Sequence, residues 1–492
     1  MGIIIKQSIR NTLITYIGFA IGAANTLFMY PHFLGKTFYG LTGYLLSSAN
    51  VIMPLMAFGV HNTLVKFFSE YKTETEKRHF LHYILLLPLL FLIPLALIGP
   101  FFYETIAQFL SRENPIIHEY VWQIPIIGLC MGYFEIFYAW VKVHLQSVFG
   151  SFIKEIGLRI LISILLYGVY FGLMSPEDFL TGLMWVYAIA MLLMVFYAHR
   201  VQPIGFSWQF PNNKKAVLLY SLFIILSGSI ANLLLDIDKN MIGQYIKIEN
   251  IAYYSVAIFI ATVISVPSRA MHQITYPITA KLMNEGQFDA LNDLYKKTSL
   301  TLQIVGGWVF VGILVNIDSI YALLPADYAQ GIPVVFIIGF SKYIDLLLGN
   351  NNAIIFNSPY YRAVLFLGLF LAILCVSLNA LFIPKWQILG SAIATLISIF
   401  LYSLAKWGFV VFKMKLYPFT KQTAYSFLLL VASFALVYPW DLPVIPLINI
   451  GIKTTLVSCI YLGSHYFLKL SPDVNNIINQ SWGMFCSVIN KK

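Results

Sequence analysis

The sequence contains little charge and few cysteines. Asp, Glu, Lys and Arg together make up 11% of its 492 residues, whereas 59% are hydrophobic and 16% are aromatic. So few charges cannot coat a water-soluble domain of this length, which excludes a globular soluble protein. The four cysteines, Cys130, Cys375, Cys459 and Cys486, form no CxxC pair and no metal-ligand spacing. Neither a disulfide framework nor a metal site is therefore predicted.

Long polar stretches are also scarce, because apolar runs of membrane-spanning length recur along the whole chain with short polar gaps. A bilayer core needs roughly 20 apolar residues per helix, and backbone groups in lipid must be hydrogen-bonded within their own segment. The sequence therefore predicts an all-α polytopic membrane protein with about 14 transmembrane helices. The predicted spans cover residues 11–33, 40–64, 81–103, 119–141, 152–174, 179–198, 216–238, 251–275, 298–322, 332–355, 362–383, 388–411, 423–439 and 446–468.

Basic residues are distributed unevenly over the connecting segments. With the N-terminus inside, the inner flanks hold 24 of the 31 Lys and Arg residues and the outer flanks hold 5. This asymmetry follows the positive-inside rule and predicts that both termini are cytoplasmic. Topology and anionic lipid headgroups therefore account for the net charge of +10. No nucleic-acid partner is predicted, because no basic stretch lies on a soluble domain.

The layout of the first spans returns in the second half of the chain. The segments GAANTLFMYPHFLGKTFYGLTGYLLS and SIANLLLDIDKNMIGQYIKIENIAYYS share an asparagine, a short outer turn and a following tyrosine. This repeat predicts two pseudo-symmetric six-helix lobes. The predicted regions are an N-lobe at 1–200, a cytoplasmic connector at 201–215, a C-lobe at 216–412, two further spans at 413–470 and an interfacial amphipathic tail at 471–492.

Polar residues at helical spacing mark faces of the predicted spans that lipid would not cover. The clearest face lies in the eighth span around Arg269, since an ionised group at membrane depth is costly and usually functional. The candidate cavity residues are Arg269, His61, Asn25, Asn50, Asn232, Gln273 and Tyr276. Close helix packing, and an arginine that extends to the inner interface, remain alternatives to a wet cavity.

Three carboxylates are candidates for ion coupling, namely Glu135, Asp236 and Asp238. An interfacial position remains open for Glu135, and an ion pair with Lys239 remains open for the aspartates. Lys342 and Asp345 are three residues apart in the tenth span, so we expect them to neutralise one another. Whether transport is coupled to protons or to sodium stays open.

Four short motifs are LGKTFYGL at 34–41, FGVHNTLVKFFSEY at 58–71, DKNMIGQYI with AYYSVA within 238–257, and YPITAKL at 276–282. They resemble the polysaccharide and O-antigen flippases of the multidrug/oligosaccharidyl-lipid/polysaccharide exporter superfamily. The resemblance implies two lobes around a central cavity and two extra C-terminal helices. It also implies a transporter, not an enzyme, that moves undecaprenyl-diphosphate-linked oligosaccharides to the outer leaflet of the bacterial inner membrane by alternating access. The product would be O-antigen, capsule or exopolysaccharide.

The resemblance further implies a role for Arg269. Related lipid II flippases have essential cavity arginines on spans that include the eighth, and a guanidinium can form a forked contact with a diphosphate. The implied partners are the lipid-linked oligosaccharide and membrane lipids, with a glycan polymerase and chain-length machinery as candidates. No cofactor is implied. A multidrug cation antiporter of the same superfamily, a membrane glycan polymerase or ligase, and a lipid scramblase remain alternatives.

Overall fold

The computed structural model describes residues 2–203, 209–360, 362–440, 443–476 and 478–480, with the side chains of 2–9 and 226–235 excluded. Within these ranges the chain is helical and contains no strand, so the predicted all-helical class is confirmed. Nine described helices are long and apolar enough to cross a membrane. Most of the predicted tail, together with Cys486, lies outside the described residues.

The chain divides into two compact units, which we call unit 1 (Met1–Ser255) and unit 2 (Val256–Lys492). The predicted lobe boundaries stay predictions. The helices of unit 1 are α1 (Gly2–Ala23), α2 (Gly35–Met56), α3 (Val60–Phe67), α4 (Glu74–Leu86), α5 (Leu89–Leu110), α6 (Gln123–Val143), α7 (Ser147–Phe152), α8 (Leu158–Tyr170), α9 (Pro176–Val201) and α10 (Lys214–Tyr245).

Helix α11 (Glu249–Thr262) crosses from unit 1 into unit 2. The helices of unit 2 are α12 (Val266–Asn284), α13 (Phe288–Val315), α14 (Ile317–Tyr321), α15 (Ile332–Leu346), α16 (Asn351–Asn357), α17 (Ala363–Met414), α18 (Lys421–Val437), α19 (Pro446–Val457) and α20 (Gly463–Phe467). Three further segments are π-helical, namely Ala24–Leu34, Ile153–Gly157 and Ser458–Leu462.

Two helical stretches are too long to be single straight spans. A helix as long as Arg10–Met56, with 47 residues, would extend roughly 70 Å, more than twice the roughly 30 Å hydrocarbon core. Each stretch contains one residue with a left-handed backbone angle, Gly35 (φ 76°) in the first and Gln387 (φ 53°) in Ala363–Met414. The chain therefore changes direction inside both stretches.

In unit 1, α6 packs against α2, α3 and α9, and α2 also packs against α10. Small residues permit the closest of these contacts. A Cβ atom on Gly128 would lie 2.9 Å from Ile52, and one on Gly132 would lie 3.1 Å from the Ala57 nitrogen. Close approach through glycine is the usual way in which membrane helices gain packing contacts.

Both units contain an interrupted helix where the sequence predicts a continuous one. In unit 1 the predicted span 40–64 breaks between α2 and α3, where Phe58 (φ 50°) and Gly59 (φ 62°) are left-handed. In unit 2 the predicted span 332–355 breaks between α15 and α16, where Gly349 has φ 51°. A left-handed residue cannot continue a right-handed helix, so the axis is reset at each break.

The loop after α3 is tied to the connector that precedes α10. The Tyr71 hydroxyl donates a hydrogen bond to Asn213 Oδ1, and the Asn213 side chain donates to Glu70 at 3.0 Å. Burial raises the pKa of Tyr71 to about 12. The hydroxyl therefore keeps its proton at neutral pH and remains a donor.

Candidate functional site

The three candidates on α12 share one exposed face. Arg269, Gln273 and Tyr276 follow one another at helical spacing, and all three are exposed. Thr275 and Thr279 are buried on the other side of the helix. Within the described part of the chain, Arg269 forms no hydrogen bond or ion pair. The guanidinium is therefore available to an anionic ligand.

Asn25 lies in the π-helical segment Ala24–Leu34 and is almost fully buried. Its amide nitrogen donates to the Arg159 carbonyl oxygen at 3.0 Å, and its amide oxygen accepts from the Ser163 hydroxyl at 2.8 Å. Both ends of the amide are thus used in joining this segment to α8. This geometry fits the packing interpretation of Asn25 better than a cavity wall.

The structure brings together a predicted substrate ligand and a predicted coupling residue. Asn50 on α2 donates to the carboxylate of Asp236 on α10 at 3.1 Å. The other carboxylate oxygen of Asp236 accepts a hydrogen bond from Lys239 at 3.2 Å. This is the ion pair with Lys239 that the sequence left as an alternative role for the aspartates. One turn away, Ser48 donates to Asn240 at 2.5 Å. These bonds form a polar seam between α2 and α10.

The two remaining candidates of the seventh span, Asp238 and Asn232, differ in what the structure describes of them. Asp238 is buried and accepts a hydrogen bond from the Tyr254 hydroxyl at 2.7 Å. Asn232 lies in α10, but its side chain falls outside the described residues. Asp238 therefore joins α10 to α11, and the role of Asn232 stays a prediction.

Glu135 forms the first of two ion pairs that we treat as counterparts. Lys154 Nζ lies 2.5 Å from Glu135 Oε1, and this contact joins α6 to the π-helical segment Ile153–Gly157. The Glu135 side chain is 16% exposed and the Lys154 side chain 47%. His61, in the first turn of α3, acts on the Glu135 carboxylate electrostatically. Its buried Nδ1 atom has no hydrogen-bond partner among the described residues.

The second ion pair lies in unit 2 and was not predicted. Lys406 on α17 approaches Asp345 on α15, with Nζ 3.2 Å from Oδ1. The prediction that Asp345 pairs mainly with Lys342 is thus wrong. Helix α17 packs along α15 and supplies a closer ammonium group, that of Lys406. Here the Asp345 side chain is 50% exposed and the Lys406 side chain only 3%.

A small, partly open pocket lies beside the second ion pair at the break between α15 and α16. Its lining is Ser268, His272, Leu302, Asp345, Leu346, Leu348, Gly349, Asn351, Asn352 and Lys406. Lys406 Nζ lies 3.4 Å from the Asn352 side-chain oxygen and 4.4 Å from the centre of the Tyr402 ring. Asn351 is 1% exposed, and its amide oxygen has no partner within the described residues.

Sequence reasoning missed this pocket because it counted Lys406, near the end of the predicted span 388–411, among the 24 basic residues of the inner flanks and gave it no partner. The signal was available, since apolar residues surround Lys406 in LYSLAKWGFVVF at 401–412. Arg159, in the predicted span 152–174, was counted with the inner flanks in the same way. It lies twelve residues after Ser147 and eleven before Tyr170, near the middle of a continuous helical run. It pairs with Glu155 at 3.4 Å, and its side chain packs on Gly22 of α1.

No group of three metal-ligating side chains occurs among the residues that the structure describes. The candidates instead fall into three sets, which are an exposed arginine face on α12, a hydrogen-bonded seam in unit 1, and two acid–lysine pairs. The arginine face can bind an anion, the seam can position helices, and the pair whose carboxylate is half exposed can exchange protons.

Comparison with known proteins identifies the fold. No family model and no curated protein matches the sequence. The structure is similar to that of the lipid II flippase MurJ in an inward closed conformation, with a TM-score of 0.74 and 16% identity over 94% of this chain and 99% of the flippase. It is also similar to an inward-facing multidrug resistance MATE family transporter of the MOP superfamily, with a TM-score of 0.60 and 13% identity over 83% of this chain and 98% of that one. The chain therefore shares the fold of these two transporters, in agreement with the exporter superfamily that its motifs predict.

Proposed function

We propose that this protein is a flippase for lipid-linked oligosaccharides. Its substrate would be an undecaprenyl-diphosphate-linked oligosaccharide unit, which it moves from the cytoplasmic to the outer leaflet of the bacterial inner membrane. The units would serve O-antigen, capsule or exopolysaccharide assembly. A glycan polymerase and its chain-length machinery would then use the product.

One observation carries this proposal. The chain shares its fold, over nearly its full length, with a protein named as a lipid II flippase, and it presents an exposed arginine on a polar helix face. A diphosphate carries negative charge that hydrocarbon cannot solvate, so it needs a cationic partner during passage. Arg269 supplies that partner, and Gln273 and Tyr276 supply hydrogen-bond groups for sugar hydroxyls.

The main alternative is a multidrug cation antiporter, which the MATE neighbour brings forward. A cationic drug requires a carboxylate that is not already neutralised. In the described part of unit 1, Glu135 pairs with Lys154, Glu155 with Arg159 and Asp236 with Lys239. Asp238 is buried and accepts a hydrogen bond from Tyr254, so it is not exposed to a ligand. These contacts favour an anionic headgroup over a cationic drug as the substrate.

For the topology we propose fourteen spans, in two six-helix lobes with two further helices at the C-terminus and both termini in the cytoplasm. The turns at Gly35 and Gln387 support this count, since each divides a helical stretch that is too long for one span. The lobes would alternate access by rocking, while the prenyl chain stays in lipid.

Deletion of the gene, followed by analysis of lipid-linked intermediates, tests the function. We expect complete oligosaccharide units to accumulate on the cytoplasmic leaflet, where a membrane-impermeant lectin or glycosidase cannot reach them in intact spheroplasts. Accumulation of incomplete units would point to an assembly enzyme. Accumulation of unpolymerised units on the outer leaflet would point to a polymerase or ligase. Either outcome would overturn the proposal.

Substitution of Arg269 tests the proposed site. We expect Arg269→Ala to abolish complementation of the deletion strain, and Arg269→Lys to keep part of the activity, because an ammonium preserves the charge but not the forked contact. Arg112→Ala removes another exposed arginine, from the segment between α5 and α6, and should complement fully. Full activity of Arg269→Ala at normal membrane abundance would exclude Arg269 from the site.

A further inference from the structure

The pocket at the break between α15 and α16 contains polar side chains that already contact one another. Lys406 is almost fully buried, and its ammonium group contacts the Asp345 carboxylate and the Asn352 side-chain oxygen. The buried Asn351 amide oxygen also belongs to the lining and lacks a hydrogen-bond donor among the described residues. A buried acceptor without a donor is costly, so it indicates that the pocket has a second arrangement or a ligand that satisfies it.

From this geometry we propose that the pocket is the proton-coupling site of the transporter, with Asp345 as the proton acceptor and Lys406 as the group that moves. This inference rests on the proposed transport function and names the ion that drives it. The Asp345 carboxylate, which is half exposed, can receive a proton from water, whereas the Lys406 ammonium is shielded.

Protonation changes the balance of contacts inside the pocket. When Asp345 gains a proton, it loses its negative charge, and the buried Lys406 ammonium loses its counter-ion. An uncompensated buried charge is strongly unfavourable. The two side-chain amide oxygens, on Asn351 and Asn352, can then accept the ammonium hydrogens. Both asparagines begin α16, so a shift of Lys406 toward them would move α17 relative to the helix break.

The contacts of Asp345 favour a proton over a sodium ion, because the Lys406 ammonium already holds its carboxylate. The titratable groups that act on its carboxylate are Lys406 from α17, His272 from α12 and Lys342 from α15 itself. A sodium ion would have to bind beside an ammonium group that is already buried there, and like charges repel strongly in a weakly polar interior. A proton adds the same net charge as a sodium ion, but it needs no shell of oxygen ligands, and in this pocket Lys406 already contacts Asp345 Oδ1 and the Asn352 side-chain oxygen.

Infrared difference spectroscopy on the purified full-length protein tests proton binding without any transport substrate. Acidic buffer protonates many of the 21 Asp and Glu side chains, so we expect a composite protonated-carboxyl band from which Asp345→Asn removes the component of Asp345. Glu285→Gln is the matched control, because Glu285 forms an exposed pair with Lys281 at 3.9 Å in the same unit. Retention of the full band in Asp345→Asn would overturn the proposal.

Proteoliposomes that contain an undecaprenyl-diphosphate-linked disaccharide test the coupling. A pH gradient should accelerate flipping by the native protein about tenfold, which corresponds to a lowering of the activation free energy by about 1.4 kcal/mol, and Asp345→Asn should abolish this acceleration. The double variant Asp345→Asn/Lys406→Met removes both charges, so it should fold well while remaining insensitive to the gradient. Acceleration by a sodium gradient alone would overturn the proton assignment.

The two assays separate failure of this inference from failure of the proposed function. A native protein that shows the Asp345-dependent band but flips no lipid-linked disaccharide would retain the proton site and refute the transport proposal. A native protein that flips the lipid, with no Asp345-dependent band and no response to a pH gradient, would retain the transport proposal and refute the proton site.

Discussion

Units 1 and 2 each contain an acid–lysine pair near an interrupted helix, but they bury opposite partners. In unit 1 the carboxylate of Glu135 is the less exposed partner, at 16%, and Lys154 is half exposed. In unit 2 the carboxylate of Asp345 is half exposed and Lys406 is buried. Each pair also has a histidine close enough to act on the acid, His61 in the first and His272 in the second.

This difference in exposure gives the two acid–lysine pairs different roles. An exposed carboxylate can exchange protons with water, and losing its charge strands a buried ammonium, which forces a rearrangement. A buried carboxylate beside an exposed ammonium has neither property, because water can solvate the ammonium directly. The pair in unit 2 is therefore suited to switching, and the pair in unit 1 is suited to holding α6 against the π-helical segment.

The largest expected effects concern the glycines at the two helix breaks. Gly59 and Gly349 both have left-handed φ values, and an added Cβ atom would lie 2.6 Å from the Ser221 oxygen and 2.7 Å from the Ser299 nitrogen, respectively. We expect Gly59→Ala and Gly349→Ala each to lower the free energy of unfolding by about 4 kcal/mol, from backbone strain plus steric overlap. Denaturant titration in detergent measures this loss.

Gly172→Ala is the control for these variants. Gly172 is also left-handed (φ 67°), but no atom lies within 4 Å of the position of a Cβ. This variant should lose only the strain contribution, about 1 kcal/mol. A large loss at Gly59 together with a small one at Gly349 would mean that the break in unit 2 can reshape, and the comparison between the units would need revision.

Removal of the acid should destabilise unit 2 more than removal of the lysine, and in unit 1 this order should be reversed. In unit 2, Asp345→Asn strands a buried ammonium and should cost about 3 kcal/mol of unfolding free energy. Lys406→Met leaves a half-exposed carboxylate and should cost about 1 kcal/mol. In unit 1, Lys154→Met strands the buried carboxylate of Glu135 and should cost more than Glu135→Gln.

The four variants are compared by denaturant titration under one detergent condition. Asp345→Asn/Lys406→Met should recover most of the stability that Asp345→Asn loses, because no charge then remains unpaired. If the acid variant were the more damaging one in both units, exposure would not determine the roles of the pairs. The division between a switching pair and a holding pair would then fail.

The sequence predicted the class and the fold but not the partners of the charged residues. Hydropathy and the positive-inside rule act over whole segments, so single uncertain residues do not disturb the membrane assignment. The polar face of α12 was also predictable, because Arg269, Gln273 and Tyr276 depend only on helical spacing. Long-range pairs do not follow from spacing, which is why Asp345 was assigned to Lys342 and not to Lys406.

The helix breaks escaped prediction for a related reason. Gly59 lies in an apolar run, and Gly349 follows three leucines and precedes three asparagines. A glycine at the end of an apolar segment fits a continuous helix as well as a left-handed turn. Tertiary contacts decide between the two, and here the neighbouring backbone at Ser221 and Ser299 leaves no room for a Cβ atom. The pocket in unit 2 depends on one of these breaks, so it could not be found before the fold was known.

The smallest expected effect is a difference between His272 and His61 in their influence on proton binding by Asp345. His272 lines the pocket and acts on Asp345, but Lys406 already neutralises that carboxylate at close range, so the contribution of the imidazole is screened. We expect His272→Gln to move the midpoint of the Asp345 carboxyl band by less than about one pH unit. His61→Gln, in the other unit, should leave that midpoint unchanged, and infrared titration of both variants measures the difference. Equal shifts in the two variants would mean that proton binding is not confined to the pocket in unit 2, because His61 belongs to the surroundings of Glu135.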